Sequence, residues 1–260
     1  MDGILFYALV IPAVLLAGIS KGGLSGLGAL SVPMLALVLP PGQAAGLMLP
    51  ILCLMDLFGL WAYRGHWDAG QLRLLLPGAV LGIGVGVLAF GHLDENAVRA
   101  LIGVIAVLFA LNQWLKPVLQ ARLMRAAPAG APPSRLKGRL KGLFWSGLSG
   151  FTSFLAHAGG PPLMIYLLPL RLEKMQFAGT TVVLFGVVNY VKLVPYFWLG
   201  QIDRANLSTA LLLAPLAPVG IWLGLWLTKR IAEALFYRIS FVLLFLSGAK
   251  LLYDGLKGSF

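Results

Sequence analysis

Apolar residues in this chain fall in long blocks and do not alternate with polar ones. Six blocks, at 43–63, 72–91, 97–119, 175–198, 207–228 and 232–254, each have about the length of one membrane-crossing helix. Roughly 20 residues at ~1.5 Å per residue span the ~30 Å hydrocarbon core. A transmembrane barrel would instead alternate apolar and polar residues in ~10-residue strands. Two further stretches, 4–39 and 142–170, are too long for one span and are punctuated by Gly and Pro. Each reads as two short crossings, or as one crossing with a re-entrant piece. The pattern predicts an all-α membrane protein with 8–10 transmembrane helical segments, some of them broken by Gly and Pro.

The blocks also repeat. Ala45-Gly46, Asp56 and Tyr63 match Ala178-Gly179, Asn189 and Tyr196 at a spacing of 133. Pro77, Gly82, Gly86 and Glu95 match Pro215, Gly220, Gly224 and Glu233 at 138, and Pro33 matches Pro162 at 129. Ordered matches whose offset grows in small steps are what a duplication followed by loop insertions leaves behind. The expected organisation is a first transmembrane repeat (1–119), a basic linker (120–140, with Pro128, Pro132 and Pro133) and a second repeat (141–260).

Composition names the solvent. The chain is 59% apolar and 11% charged, with a mean hydropathy of +0.89. Soluble domains carry about 25% charged residues, and a globule of this length has too much surface to hide so many apolar side chains. A soluble enzyme and a disordered chain are thereby excluded. The formal charge of +11 is local, because Lys116, Arg122, Arg125, Arg135, Lys137, Arg139 and Lys141 form one acid-free run. Without that run the chain carries +4. A nucleic-acid partner would need basic residues along a folded face, so none is expected; the run reads as a cytoplasmic linker under the positive-inside rule.

The same rule bears on topology. With ten crossings, fifteen basic residues lie inside and four outside; with eight, the split is twelve to six. Ten crossings fit better, and five per half make the halves inverted repeats, whereas four per half would make them parallel. Met1-Asp2-Gly3 has no basic n-region, so the first block is expected to be retained. Cys53 stands alone, and neither a disulfide, a metal site nor a cofactor is expected. Gly82, Gly84 and Gly86 read as small residues that let helices pack closely.

Chemistry concentrates at the two breaks. The first contains Ser25, Gly26, Gly28, Ser31 and Pro33, and the second contains His157, Gly159, Gly160 and Pro161. In lipid, non-helical backbone survives only where protein buries it or where it lines a wet cavity. A half-helix starting there offers free N–H groups and positive dipole charge to an anion. Paired breaks in two halves are the usual mark of a transport site.

Among charged residues within spans, Asp56 sits deep in 43–63, and Lys192 lies one turn beyond Asn189. Lys192 either supplies charge to an oxyanion, with Asn189 and Thr180 as hydrogen-bond donors, or snorkels to the interface. Asp56 is then a counter-ion or proton carrier, or a structural partner of Lys192. His157 either binds an anion or carries a proton, or simply hydrogen-bonds a neighbouring helix. Lys21 faces the cavity or the interface. Trp61, Tyr63, Trp67, Tyr196, Phe197 and Trp198 read as an interfacial belt.

These residues carry a resemblance. The Gly-rich break ending in Ser31-Val32-Pro33, followed by Ala45-Gly46, resembles the TauE/SafE family of sulfite exporters, TSUP-type anion transporters. The second half repeats it as Gly159-Gly160-Pro161-Pro162, Phe177-Ala178-Gly179-Thr180, Asn189 with Lys192, then Tyr196 and Gly200. The likeness covers both halves, departing at Gly46-Leu47, where the second copy has Gly179-Thr180. It implies a multi-pass secondary transporter of the bacterial cytoplasmic (inner) membrane that exports sulfite or an organosulfonate. The alternatives are another small anion such as a carboxylate, or an intramembrane enzyme using His157 with Ser153 or Ser149. No P-loop is present to supply ATP drive. The expected partners are a small anion and the lipid bilayer, with monomer and homodimer both open.

Overall fold

The structure, a computed structural model, describes residues 3–22, 27–126, 135–170, 172–230 and 233–258. Those residues form eleven α-helices and two short 3-10 turns, with no strand among them. In chain order the helices are α1 (Ile4–Lys21), α2 (Ser31–Leu35), α3 (Pro41–Ala62), α4 (Ala69–His92), α5 (Glu95–Ala126) and α6 (Arg135–Ala156). There follow α7 (Gly160–Leu167), α8 (Lys174–Trp198), α9 (Arg204–Leu213), α10 (Leu216–Arg230) and α11 (Glu233–Gly258). Helices dominate because hydrocarbon offers backbone groups no partner, so each N–H must be satisfied within its own segment. Where helices begin in polar loops, an aspartate caps them: Asp68, Asp94 and Asp203 accept from the N–H groups of Gln71, Ala97 and Asn206 at 2.9, 2.7 and 2.6 Å.

Among the described residues five or six of the expected eight to ten spans are present, and neither 142–170 nor 232–254 supplies one. Helices α1, α3 and α4, residues 95–115 of α5 and residues 175–198 of α8 are each long and apolar enough to cross a bilayer, and α9 with α10 forms a sixth candidate bent by 45°. Outward-facing side chains are apolar, with Leu81 71% and Leu211 67% exposed. Water would penalise such a surface and lipid does not. This is a multi-pass membrane protein.

Three features differ from the sequence pattern. The block 207–228 is broken at Ala214-Pro215, where proline withholds a helical N–H, although its counterpart Pro77 sits inside an unbroken α4. The helices also run past the apolar ends, to Ala126 in α5 and from Arg135 in α6, so only 127–134 of the expected linker lies outside them and outside the described residues. Finally, each long broken stretch folds as one long arm and a short returning one. Gly28 lies beside Ser20 and Ser31 beside Ala13, so α2 runs back along α1. Likewise Gly142, near the start of α6, packs on Tyr166, near the end of α7.

Glycines set the helix pairings. Helices α1 and α10 run side by side, with Gly18 against Gly220 and Gly22 against Gly224. Helices α4 and α6 do the same, with Gly78 against Ser146 and Gly82 against Gly147. Helix α5 runs antiparallel to α11, where Gly103 meets Gly248 and Asn96 Nδ2 donates to the Gly258 carbonyl at 2.8 Å. At the centre α3 crosses α8 antiparallel: Gly46 meets Gln201, Asp56 meets Asn189, and Gly179 meets His66.

The expected packing role holds for Gly82 and Gly86, but a Cβ on Gly84 would have nothing within 4 Å. Gly82→Ala would drive its methyl into the Gly147 carbonyl, a backbone group with nowhere to go. It should destabilise the protein by about 3 kcal/mol, whereas Gly84→Ala should be neutral or stabilising by up to ~1 kcal/mol. Thermal unfolding of the two variants in one detergent checks the contrast.

Candidate functional site

The two hairpins point their turns at each other across α3 and α8, and a cavity of about 250 Å³ lies between them. Ala17, Ser20, Lys21, Gly28, Ala29 and Ser31 line it from the first hairpin, and Ser153, His157, Gly160, Pro161 and Met164 from the second. Leu52 and Tyr63 of the α3 side and Phe177, Thr181, Val182, Phe185 and Asn189 of α8 complete the wall. The cavity thus runs from the middle of α8 to the end of the bundle where α3 finishes and α8 starts.

Charge enters from the first hairpin and from α3 and α8. Lys21, at the C-terminus of α1, forms an ion pair with Asp56 of α3. The other oxygen of that carboxylate accepts from Asn189 Nδ2 at 2.5 Å. Asp56 is fully buried, while the Lys21 side chain keeps 21% of its surface exposed, facing the cavity. The counter-ion of Asp56 is therefore Lys21, and the alternative of a structural pairing with Lys192 does not form.

Lys192 is fully buried with its ammonium held by protein groups, which overturns the snorkelling alternative. Its ammonium donates to the Ser153 carbonyl at 3.0 Å, the Ser153 hydroxyl at 3.1 Å and His157 Nδ1 at 2.8 Å. All three protons are used, yet none goes to a carboxylate, so Lys192 is a desolvated positive charge one hydroxyl behind the wall. Two lysines thus stand against one carboxylate at the site.

His157 ends α6. Its φ of +50° places it in the left-handed region, and its N–H and that of Ala158 close back onto the Ser153 and Thr152 carbonyls at 3.1 and 3.3 Å. Glycine normally fills this helix-ending position, and a side chain there costs roughly 1–2 kcal/mol. Two ring contacts hold it: Nδ1 accepts from Lys192, and Nε2, the protonated nitrogen of this tautomer, donates to the Ala45 carbonyl at 3.0 Å. No Ser–His dyad forms, because Ser153 is engaged by Lys192 and the Ser149 hydroxyl donates to the Gly159 carbonyl at 2.6 Å. This removes the geometric basis of the enzyme alternative.

The expected site residues divide. Gly28, Ser31, His157, Gly160, Pro161 and Asn189 line the cavity, while Asp56 and Lys192 stand directly behind it. Ser25 and Gly26 lie outside the described residues. Pro33, Gly159 and Thr180 do not reach the cavity. Pro33 packs beside Ile102, Phe109 and Leu244; a Cβ on Gly159 would crowd the Ser149 carbonyl at 2.6 Å. The Thr180 hydroxyl accepts from the Asp68 N–H at 2.9 Å and donates to the Gln176 carbonyl at 2.7 Å, pinning the 63–68 loop. Its neighbour Thr181 faces the cavity instead.

Two aromatics assigned to the belt have other places. Tyr63 lines the cavity, and Tyr196 is fully buried, donating to the Phe154 carbonyl with its ring stacked 6.1 Å from His157. Trp61, Phe197 and Trp198 are exposed, as a belt requires. Ser20 carried a signal in the repeat, since it matches Ser149 at the same 129 offset as Pro33; nothing in the pattern marked Thr181 or Met164.

Apolar helices, broken in pairs around a half-enclosed basic cavity, define a multi-pass membrane transporter. The chain belongs to the sulfite exporter TauE/SafE family, whose model matches residues 10–251. Its members are transporters and not enzymes. Over 195 residues the chain is 29% identical to a Comamonas testosteroni protein described as "Probable inner membrane transporter protein TsaS", covering 74% of this chain and 75% of that one. Over 197 residues it is 25% identical to "Probable sulfite/organosulfonate exporter TauE" of Cupriavidus necator, covering 74% and 71%. No solved structure gives a significant match.

Proposed function

We propose that the protein is a secondary transporter that moves a small sulfur oxyanion, sulfite or an organosulfonate, out of the cell across the cytoplasmic membrane. The observation that carries this reading is the pair of lysines at the cavity, half-buried Lys21 and buried Lys192, against the single carboxylate of Asp56. A desolvated cation repays its burial when an anion arrives. Ser20, Ser153 and Asn189 offer polar groups for oxygens, while Leu52, Val182 and Phe185 offer an apolar wall for a short alkyl group. The description of the Cupriavidus relative agrees with this substrate class, and that of the Comamonas relative with an inner-membrane location.

In this mechanism Asp56 neutralises Lys21 until an oxyanion competes for the ammonium, and His157 orients Lys192. The halves act as inverted repeats (1–119 and 141–260) about the central crossing. In support, helices matched by sequence, α3 and α8, cross antiparallel, and α1 on α10 mirrors α6 on α4. The cavity mouth lies at the end where α5 finishes and α6 begins, which we place in the cytoplasm because Arg64, Arg73, Arg139 and Lys141 lie toward that end. An inside-negative potential favours anion exit by ~2.3 kcal/mol per charge per 100 mV, so no ATP is needed.

The test is a flux screen in proteoliposomes with sulfite, sulfate, thiosulfate, sulfoacetate and acetate. Saturable sulfite or sulfoacetate flux at least ~10-fold above acetate is expected. Comparable acetate flux would favour the carboxylate reading, and no anion flux would reject the transport reading altogether.

A further inference from the structure

Two cavities face opposite ends of the bundle, and a line of aromatic rings joins them. The central cavity opens where α3 finishes and α8 starts. The second, of about 260 Å³, is lined by Gly42 at the start of α3, Phe90 near the end of α4 and Leu199 just past α8. His157 belongs to the wall of the first and Phe90 to the wall of the second. Between them Tyr196 and Phe154 are closed off, 0% and 1% exposed. The ring centroids of His157 and Tyr196 lie 6.1 Å apart, those of Tyr196 and Phe154 5.1 Å, and those of Phe154 and Phe90 6.2 Å. These are the spacings of rings in contact, so the line from one cavity to the other is filled.

Phe154 is wedged in the middle of that line. A Cβ on Gly86 of α4 would stand 2.8 Å from Phe154 Cδ1, so the ring lies on bare helix backbone. The Tyr196 hydroxyl, the polar group nearest to it, is already donating to the Phe154 carbonyl. An anion entering here would lose its water and find no donor in exchange. The segment is nonetheless placed to move. Phe154 sits two residues before the end of α6, where the chain turns through the left-handed His157. Helix α8 grips this end of α6 on two rungs, from residues one turn apart. Lys192 donates to the Ser153 carbonyl and hydroxyl at 3.0 and 3.1 Å, and Tyr196 donates to the next carbonyl. Ser153 on the cavity wall and Phe154 in the ring line are thus consecutive residues held by one helix.

We propose that Phe154 is the barrier of the transport path, held shut by Tyr196, and that an anion drawn to the Ser153 hydroxyl loosens it by competing for Lys192. This rests on the central cavity being the anion's place, and goes beyond it by assigning the element that separates that cavity from the far side of the membrane. Tyr196 is a positioning residue, acting through the Phe154 carbonyl.

The experiment measures labelled chloride entering proteoliposomes under an imposed membrane potential. Wild type should admit no more than protein-free vesicles. Phe154→Ala removes the ring and should raise entry at least ~10-fold without saturation. Phe109→Ala, the same truncation on the buried face of α5, should stay at the wild-type level. Tyr196→Phe keeps its ring and deletes only the hydroxyl; losing one hydrogen bond shifts the closed state toward the open one by about 5-fold, and chloride entry should rise by that factor. Chloride entry in wild type, equal entry in Phe109→Ala and Phe154→Ala, or continued exclusion by folded Phe154→Ala overturns the barrier. Should the alanine variant not fold, exclusion by Tyr196→Phe overturns it in the same way. Because the probe is chloride, a wild type that excludes chloride and moves no sulfite would count against the substrate reading alone, so the two failures are separable.

Discussion

Lys192→Met should abolish sulfite flux in a protein that still folds. The ammonium sits behind the Ser153 hydroxyl, so an anion on that hydroxyl lies about 6 Å from the charge. At an effective dielectric of about 20 the attraction is roughly 2.8 kcal/mol, or ~100-fold in affinity. Methionine conserves the volume of the lysine stem. It leaves Ser153 and His157 Nδ1 without their donor, at about 1–3 kcal/mol, but also removes the desolvation penalty of an unpaired buried cation. The melting temperature should therefore move little while flux falls. Lys192→Arg keeps the charge, but its planar fork cannot repeat three bonds that point to Ser153 and His157, and partial flux is expected. Wild-type flux in folded Lys192→Met would show that this charge does not serve the anion.

The second large effect separates folding from transport at the ion pair. Lys21→Met alone strands the fully buried Asp56 carboxylate with only Asn189, and breaking a buried pair from one side costs about 3–5 kcal/mol. Lys21→Met/Asp56→Asn removes both charges, and stability should return to within ~1 kcal/mol of wild type. Flux should not return, since the exposed cation of the cavity is gone. A thermal-unfolding double-mutant cycle should give a coupling of about 2–4 kcal/mol, alongside flux near zero in the double variant. Flux recovered with stability would make Lys21 purely structural.

Much of the site could be read from residue types in an unusual solvent. A span tolerates a lysine, an aspartate or a histidine only for a reason, so Asp56, Lys192 and His157 stood out from a chain of apolar blocks, and paired breaks pointed to where they gather. Which of them touch was not legible. Asp56 had two lysines within conceivable reach, Lys21 at the end of α1 and Lys192 in α8, and sequence distance favoured neither. The placement of the α1 C-terminus against α3 decided for Lys21. Thr180 and Thr181 differ by one position, or about 100° around α8; that rotation turns the first to the 63–68 loop and the second to the cavity. Tyr196 ends a span, as an interfacial tyrosine would, but the α3–α8 crossing buries it.

By itself the sequence determined the solvent, the helical class, the approximate spans and the short list of polar residues within them. These follow from local quantities: hydrophobic length against bilayer thickness, and the cost of a charge in hydrocarbon. Only the tertiary structure decided that the broken stretches return as hairpins, that Lys21 and not Lys192 neutralises Asp56, and that Lys192 has no carboxylate partner. Those outcomes depend on helix rotation and crossing direction, set by glycine contacts such as Gly18 on Gly220 and Gly82 on Gly147. Contacts between residues more than a hundred positions apart leave no periodicity along the chain for a reader of the sequence to find.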